Sequence, residues 1–394
     1  MAALEYWLWL STAPVSPRAR YALAEHFGDA ESAYLSPDGA FRNLKGLSPR
    51  EAELLERRDL SGVKEVLNLC REREIRILTL ADSDYPARLR NIPAPPVALY
   101  VRGKLPPVDE CAPIAVIGTR RSTPYGLKMA RELSWQIACC GGSLISLLSS
   151  PIDSASAKAA LQAGASVLGV LPCPTDEEEN DLIRAVCQSG AVLSEYAPGT
   201  PVQRQFFRER NRIAAGLSVG VLVVEAPEKS GTRLFAMEAA EQGKELFAVP
   251  GNADAGSSAG SLELLKEGAK LVTCGWDVMS EFEALYPGLI HRAQKPPAPE
   301  IQGLDGEREE PKPKPVPAPP RPDPKELERQ LKGLSEPQLK IVTALGGETL
   351  HVDEIIERSQ LSTAIVLSQL TVLEIKGYVR RLPGRRYILN IRKL

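Results

Sequence analysis

Three arginines and an asparagine crowd into Arg208, Arg210, Asn211 and Arg212, directly before an apolar run, "IAAGLSVGVLVVEA". Guanidinium groups at such density suit phosphate or carboxylate, because each offers a planar fork of donors. On an ideal helix Arg208 and Arg212 share a face and Arg210 points elsewhere, so the cluster reads as a loop feeding a helix start.

Two further stretches have anion-binding chemistry. In "PIAVIGTRRSTPYG" an apolar strand reaches Gly118, Arg120 and Arg121 follow in the turn, Thr123 stands as a cap and Pro124 takes the first helical position. The free N–H groups and partial positive charge of that helix end, beside two arginines, make an anion site. In "VLVVEAPEKSGT" Glu225 closes a strand, and Ser230, Gly231 and Thr232 open the next helix. Neither turn is a dinucleotide fingerprint, which needs three glycines where only Gly118 is present, and no phosphate-binding G-x-x-x-x-G-K-[ST] occurs.

Catalytic chemistry finds less support. His26, His291 and His351 are the chain's only histidines, and all lie outside the region that carries these turns, which leaves no serine or cysteine nucleophile with a histidine base. Glu195, Glu225 and Asp153 stand at or just after strands; ion pairs with the neighbouring arginines are their expected role, with acid–base work the alternative. The seven cysteines include no C-x-x-C pair, which argues against both a zinc site and a disulfide framework and suits a reducing cytoplasm. No metal and no cofactor are expected.

The elements that must position these residues follow from the pattern. Between about 107 and 285, apolar runs of strand length ("PIAVIG", "SLIS", "SVLGVL", "AVLSEY", "VGVLVVEA", "ELFAVPG", "KLVTC") alternate with amphipathic segments. That is the signature of βαβ units: an α/β fold with a Rossmann-like, doubly wound, mainly parallel sheet whose ligands lie at the carboxyl ends of the strands. The acidic run from Asp176 to Asp181 reads as a solvated helix start.

Residues 1–70 read as a small helical domain, with Ser16 and Ser48 each placed as a cap before a proline. The N-terminal segment has too short an apolar run for a membrane span and lacks a basic leader. Residues 71–106 form a proline-punctuated connector with one or two strands. Twelve of the 33 prolines fall between Pro287 and Pro324, so 286–324 is a semi-extended linker. Residues 325–394 read as a winged helix.

The whole-chain charge of −2 conceals a basic C-terminus: seven Lys/Arg against Glu374 from Leu361 onward give +6. This wing suits a nucleic-acid backbone. The helix before it is poor in base-reading side chains, Gln369 being the best candidate, so a protein partner is the close alternative.

Taken in order, "VIGTRRSTPYG", "SEYAPGTP", "RNRIAAGLS", "VLVVEA", "SGT", "FAVPGN" and "LLKEGAKLVT" resemble the DNA-processing protein A family, also called DprA or Smf. The resemblance implies an extended Rossmann-like domain between a SAM/HhH-like helical domain and a winged helix. It implies a non-enzymatic homodimer that binds single-stranded DNA and helps load RecA recombinase in natural transformation. By position, Gly118, Arg120, Arg121, Phe206, Phe207, Arg210, Asn211, Arg212, Ser230 and Gly231 would contact DNA, and the stretch from Leu265 to Leu271 would serve the dimer and its recombinase partner. Arginine binds phosphate and phenylalanine offers a face to a base.

The chain departs from the family pattern in one place above all. Where a glycine-rich S-G-L-A-x-G-I-D and A-H are usual it reads "SLLSSPIDSASA", with Leu147 and Pro151 for glycines and Ala157 for the histidine. Arg208 stands for the usual proline and Leu262 for an asparagine. Two alternatives follow: a DprA scaffold with weakened DNA binding, and a Rossmann-like nucleotide phosphoribohydrolase using Glu195 or Glu225.

Overall fold

The structure is a computed structural model that describes residues 2–177, 180–292, 334–346, 349–382 and 386–389. It divides into two units, 1–300 and 301–394. Most of the proline-rich linker, Glu178, Glu179 and the extreme C-terminus lie outside the described residues.

The strands of the first unit are β1 (Arg76–Thr79), β2 (Ala98–Gly103), β3 (Pro113–Gly118), β4 (Ser143–Ser146), β5 (Val167–Val170), β6 (Ala191–Ser194), β7 (Gly220–Glu225), β8 (Glu245–Ala248) and β9 (Lys270–Leu271). They form one sheet in the order β1-β2-β6-β5-β4-β3-β7-β8-β9. From β6 to β9 all pairs are parallel, while β1 and β2 add antiparallel at one edge. All seven strands expected from the apolar runs are present.

The central strands are buried on both faces, which explains why they read as unbroken apolar runs. Ala115, Ile117, Val221 and Val223 face one core, with Ile213, Phe235 and Leu264 from the helices Phe206–Leu217, Gly231–Glu241 and Ala259–Lys266. Ile114, Val116, Leu222 and Val224 face the other, with Leu133 and Ile152 from the helices Pro124–Cys139 and Pro151–Gln162. Ala157, at the position of the family's histidine, is wholly buried in this second core.

Chain order creates one switch point. The path runs β3, β4, β5, β6 in one direction and returns to β7 on the opposite side of β3. The connections above β3 and β7 therefore diverge, and a crevice opens at their carboxyl ends. A register shift after Ile117, which sets Gly118 opposite Glu225, lies at this point.

The N-terminal helices have their own core of Leu8, Leu10, Leu23, Phe41 and Leu55, joined to the sheet through Tyr100 of β2. Ser16 caps Pro17–Phe27 and Ser48 caps Pro49–Glu56, each with proline in the first turn, as the sequence indicated.

Among the described residues, the second unit holds three helices, Glu336–Leu345, Val352–Ser359 and Thr363–Ile375, and a small sheet in the order β10-β12-β11 from Leu350–His351 (β10), Val379–Leu382 (β11) and Arg386–Leu389 (β12). Gln369 turns inward, where its Oε1 accepts a hydrogen bond from Gln338 Nε2 at 2.8 Å, so the best sequence candidate for base reading is already engaged. Ile365 and Leu367 stand exposed on the same helix.

Candidate nucleic-acid interface

A cleft of about 960 Å³ opens at the switch point. Gly118 to Arg121 after β3, Leu147, Ser149 and Ser150 after β4, the first turns of Phe206–Leu217, and Lys229 to Thr232 after β7 surround it. Of the residues expected from sequence, Gly118, Arg120, Arg121, Phe207, Arg210, Asn211, Ser230 and Gly231 converge here. Phe206 and Arg212 do not.

The reason lies in the helix start. The arginine cluster is not a loop: the helix begins at Phe206, and Arg208, Arg210 and Arg212 are all inside it. Successive positions are turned by about 100° on a helix, so the three guanidiniums take different surroundings. Arg208 lines the cleft. Arg212 points beneath it, donating from Nη2 to both carboxylate oxygens of Glu195 at 2.6 and 2.5 Å. Phe206 stacks on Tyr196 with ring centroids 3.7 Å apart and is 5% exposed.

Arg210 reaches the cleft floor but is held there. It is 3% exposed and donates from Nη1 to the carbonyls of Leu147 at 2.8 Å and Val170 at 3.0 Å, which ties the loop after β4 to the end of β5. Burial pulls its guanidinium down to about 10 despite the opposing charge of Asp153. Asp153 is pushed up by burial, against hydrogen bonds from Ser150 and Ser149. Of the three arginines of this cluster, only Arg208 extends into open space.

The loop departures are absorbed locally. Pro151 opens Pro151–Gln162 at the first helical position, where no N–H is needed, and Ser150 caps that helix through Asp153 N at 3.1 Å. Leu148 takes the left-handed region with φ +50°, costing on the order of 1 kcal/mol, and the Arg210 bond to the adjacent Leu147 carbonyl holds it there.

The carboxylates divide. Glu195 pairs with an arginine, as expected. Glu225 does not: it accepts from Thr123 N and Thr123 Oγ1, both at 2.9 Å. The first-turn helix end is thereby satisfied from within, which corrects its reading as an open anion site. The arginines beside it remain: Arg120 and Arg121 are exposed, and the Arg120 guanidinium lies 5.5 Å from the centroid of the Phe207 ring.

By contrast, the helix Gly231–Glu241 begins openly. Ser230 caps it through Arg233 N, and a Cβ on Gly231 would meet nothing within 4 Å. Among the residues this helix turns to the cleft, Gly231, Leu234, Glu238 and Glu241 recur at helical spacing, and sequence reading missed all of those beyond Thr232. The i, i+3, i+4 pattern was the available signal, and their exposed mixture of polar and apolar types obscured it. Lys229 and Ser149 were likewise missed. Among the described residues no His, Cys, Asp and Glu group could hold a metal ion, and no helix is long and apolar enough to cross a membrane.

Fold and cleft together define a doubly wound α/β protein with an arginine-bearing crevice of mixed charge at its switch point, followed in the chain by a small winged-helix unit. A model of the DNA recombination-mediator protein A family matches residues 76–283, and one of the DprA winged helix domain matches 313–385. The chain is 30% identical to Protein Smf of Synechocystis sp. over 97% of its own length and 98% of that protein. It is 34% identical to DNA processing protein DprA of Bacillus subtilis over 55% of its length and 74% of that relative. The X-ray structure of DNA processing protein A from Streptococcus pneumoniae superposes with TM-score 0.62 at 29% identity, covering 71% of this chain and 98% of that one. The chain belongs to the DNA recombination-mediator protein A family.

Proposed function

We propose that this protein binds single-stranded DNA in the switch-point cleft and acts, without catalytic turnover, as a recombination mediator of the transformation type. The observation that carries the reading is that Arg120, Arg121, Arg208 and Lys229 line one cleft together with Phe207, whose ring lies under the Arg120 guanidinium. Side-chain cations on a rim contact phosphates along a strand, while an aromatic face takes a base, a combination suited to single strands. The names of the Bacillus and Streptococcus relatives, DNA processing protein DprA, agree with it.

The same reading makes the protein a cytoplasmic homodimer that hands DNA to a RecA-type recombinase. Leu271, 55% exposed on the edge strand β9, is the position a second copy or the recombinase would cover. Leu265 is half-buried against the core and supports that edge from within. The phosphoribohydrolase alternative is less well served, since Glu195 is bound to Arg212 and Glu225 to Thr123.

The deciding experiment is fluorescence anisotropy with an oligo-dT strand and with a duplex across a salt series. The expected result is preference for the single strand, with a steep salt dependence that becomes shallower by about 0.7 in log–log slope when Arg120→Ala removes one phosphate contact. Equal binding of duplex, or no change in Arg120→Ala and Arg121→Ala, overturns the assignment of the cleft.

A further inference from the structure

The acidic residues that line the cleft differ in what holds them. Asp153 Oδ2 accepts from Ser149 N at 3.1 Å, and Glu209 Oε2 accepts the Tyr196 hydroxyl at 2.6 Å. Glu238 and Glu241 line the same cleft, yet their carboxylates have no hydrogen-bond or ion-pair partner among the described residues. Glu241 is exposed and Glu238 half-buried. Burial raises the Glu238 carboxyl against the charge of Arg212, with Glu241 adding to the rise and Arg208 opposing it. Two unengaged carboxylates thus stand in a cleft read as the seat of a polyanion.

Both belong to one face of the helix Gly231–Glu241. Leu234, Met237, Glu238 and Glu241 stand at i, i+3, i+4 and i+7, so they form a single stripe, and all four line the cleft. Leu234 is 56% exposed and Met237 48%. The exposed cations come from other elements: Arg120 and Arg121 from the turn after β3, Arg208 from the start of Phe206–Leu217, and Lys229 from the loop after β7. Two chemistries therefore line the cleft from different elements. The cations attract phosphate, while the helix stripe repels phosphate and offers apolar side chains to an uncharged base.

We propose that this stripe is the base-side wall of the cleft, with Glu238 and Glu241 as specificity-determining residues that keep out a second phosphate backbone. The inference rests on the single-strand reading of the cleft. A single strand has one backbone, which the cations hold, and its unpaired bases are free to turn toward Leu234 and Met237. A duplex turns its bases inward and carries a backbone on either flank, so the second backbone meets the two carboxylates. Like charges set against each other across an interface suppress the wrong partner. Selectivity for single strands then comes from the acidic stripe, and affinity from the cations.

The test is fluorescence anisotropy of the full-length protein with an oligo-dT strand and with a duplex of equal length, read as the ratio of the two dissociation constants. The parent is expected to favour the single strand. Glu238→Gln with Glu241→Gln is expected to tighten duplex binding roughly tenfold while single-strand affinity changes by less than about threefold, so the ratio falls. Glu53→Gln with Glu283→Gln removes the same charge outside the cleft lining and is expected to leave the ratio at the parent's value. An unchanged ratio in the cleft pair, or an equal fall in the control pair, overturns the proposal and leaves the single-strand reading standing. A parent that binds both forms alike, or neither, overturns the single-strand reading and this inference with it. Glu241→Gln alone, at an exposed position, repeats the measurement if the double variant melts early, and an unchanged ratio there also overturns the proposal. Leu234→Ser with Met237→Ser is expected to weaken oligo-dT binding about threefold or more at the parent's salt slope, because bases and not phosphates lose their contact. Full parental affinity in that variant overturns the base-side assignment.

Discussion

Arg212 and Glu195 form a closed two-bonded ion pair beneath the cleft, with side chains only 9% and 2% exposed. The pair joins Phe206–Leu217 to the segment after β6, so an arginine that sequence placed on DNA holds the floor of the site instead. Removing one partner strands a charge in a buried setting. Arg212→Ala is expected to lose about 3–5 kcal/mol of stability in urea unfolding, while the salt slope of DNA binding by its folded fraction stays that of the parent. Replacing both residues with apolar side chains of similar size should restore much of the loss.

Adjacent phenylalanines separate structure from binding in the same way. Phe206 is packed on Tyr196, whereas Phe207 lines the cleft beneath Arg120. Phe206→Ala should cost about 3–5 kcal/mol in stability. Phe207→Ala should leave the melting temperature nearly unchanged and weaken oligonucleotide binding by about 1–3 kcal/mol, the contribution of one base stack, without altering the salt slope. Anisotropy and thermal unfolding on both variants distinguish the two roles.

Much of this was legible beforehand because the sheet is covered on both faces. Runs such as "PIAVIG" and "VGVLVV" have no other stable use, and chain order then fixes where the crevice opens. The destinations of individual arginines were not legible. Arg210 and Arg212 carry the same side chain two positions apart, and what distinguishes them is the Leu147 carbonyl in one direction and the Glu195 carboxylate in the other. Both partners are distant in sequence and approach only through the sheet. Glu225 misled for a related reason: its partner is a cap, Thr123, on the neighbouring crossover, not the arginines beside it.

Glu51 gives a test of the helical domain by pH. Burial pushes its carboxyl up, but hydrogen bonds from Ser16 and Ser48 outweigh this and bring it down to about 2. Its Oε1 accepts from Ser16 N and Oγ at 3.1 and 2.6 Å, and its Oε2 from Ser48 N and Oγ at 3.0 and 2.7 Å, joining the starts of two helices. A carboxyl lowered in the folded state stabilises it above the ordinary value of 4.5, and that contribution disappears as pH falls toward 2. Solvent screening limits the effect at this exposed site to about 1 kcal/mol. Glu51→Gln should therefore lower the urea midpoint at pH 7 and converge with the parent near pH 2. A constant difference across that range would show that the bonds do not depend on the charge.

Arg208 is the one arginine of the opening cluster that extends from the cleft into solvent, at the third position of its helix and in place of the family's usual proline. Proline is tolerated in the first turn of a helix, and the bond lost on substitution is the short-range one from Arg208 N to Gln205 O at 2.9 Å. Arg208→Pro should therefore fold as the parent does. If Arg208 supplies a phosphate contact in compensation for the altered loop from Leu147 to Pro151, the variant must bind oligo-dT more weakly, and its log–log salt slope must fall by about 0.7, the signature of one phosphate released. A variant that binds with the parent's affinity and slope would remove Arg208 from the interface and leave the cationic rim to Arg120, Arg121 and Lys229.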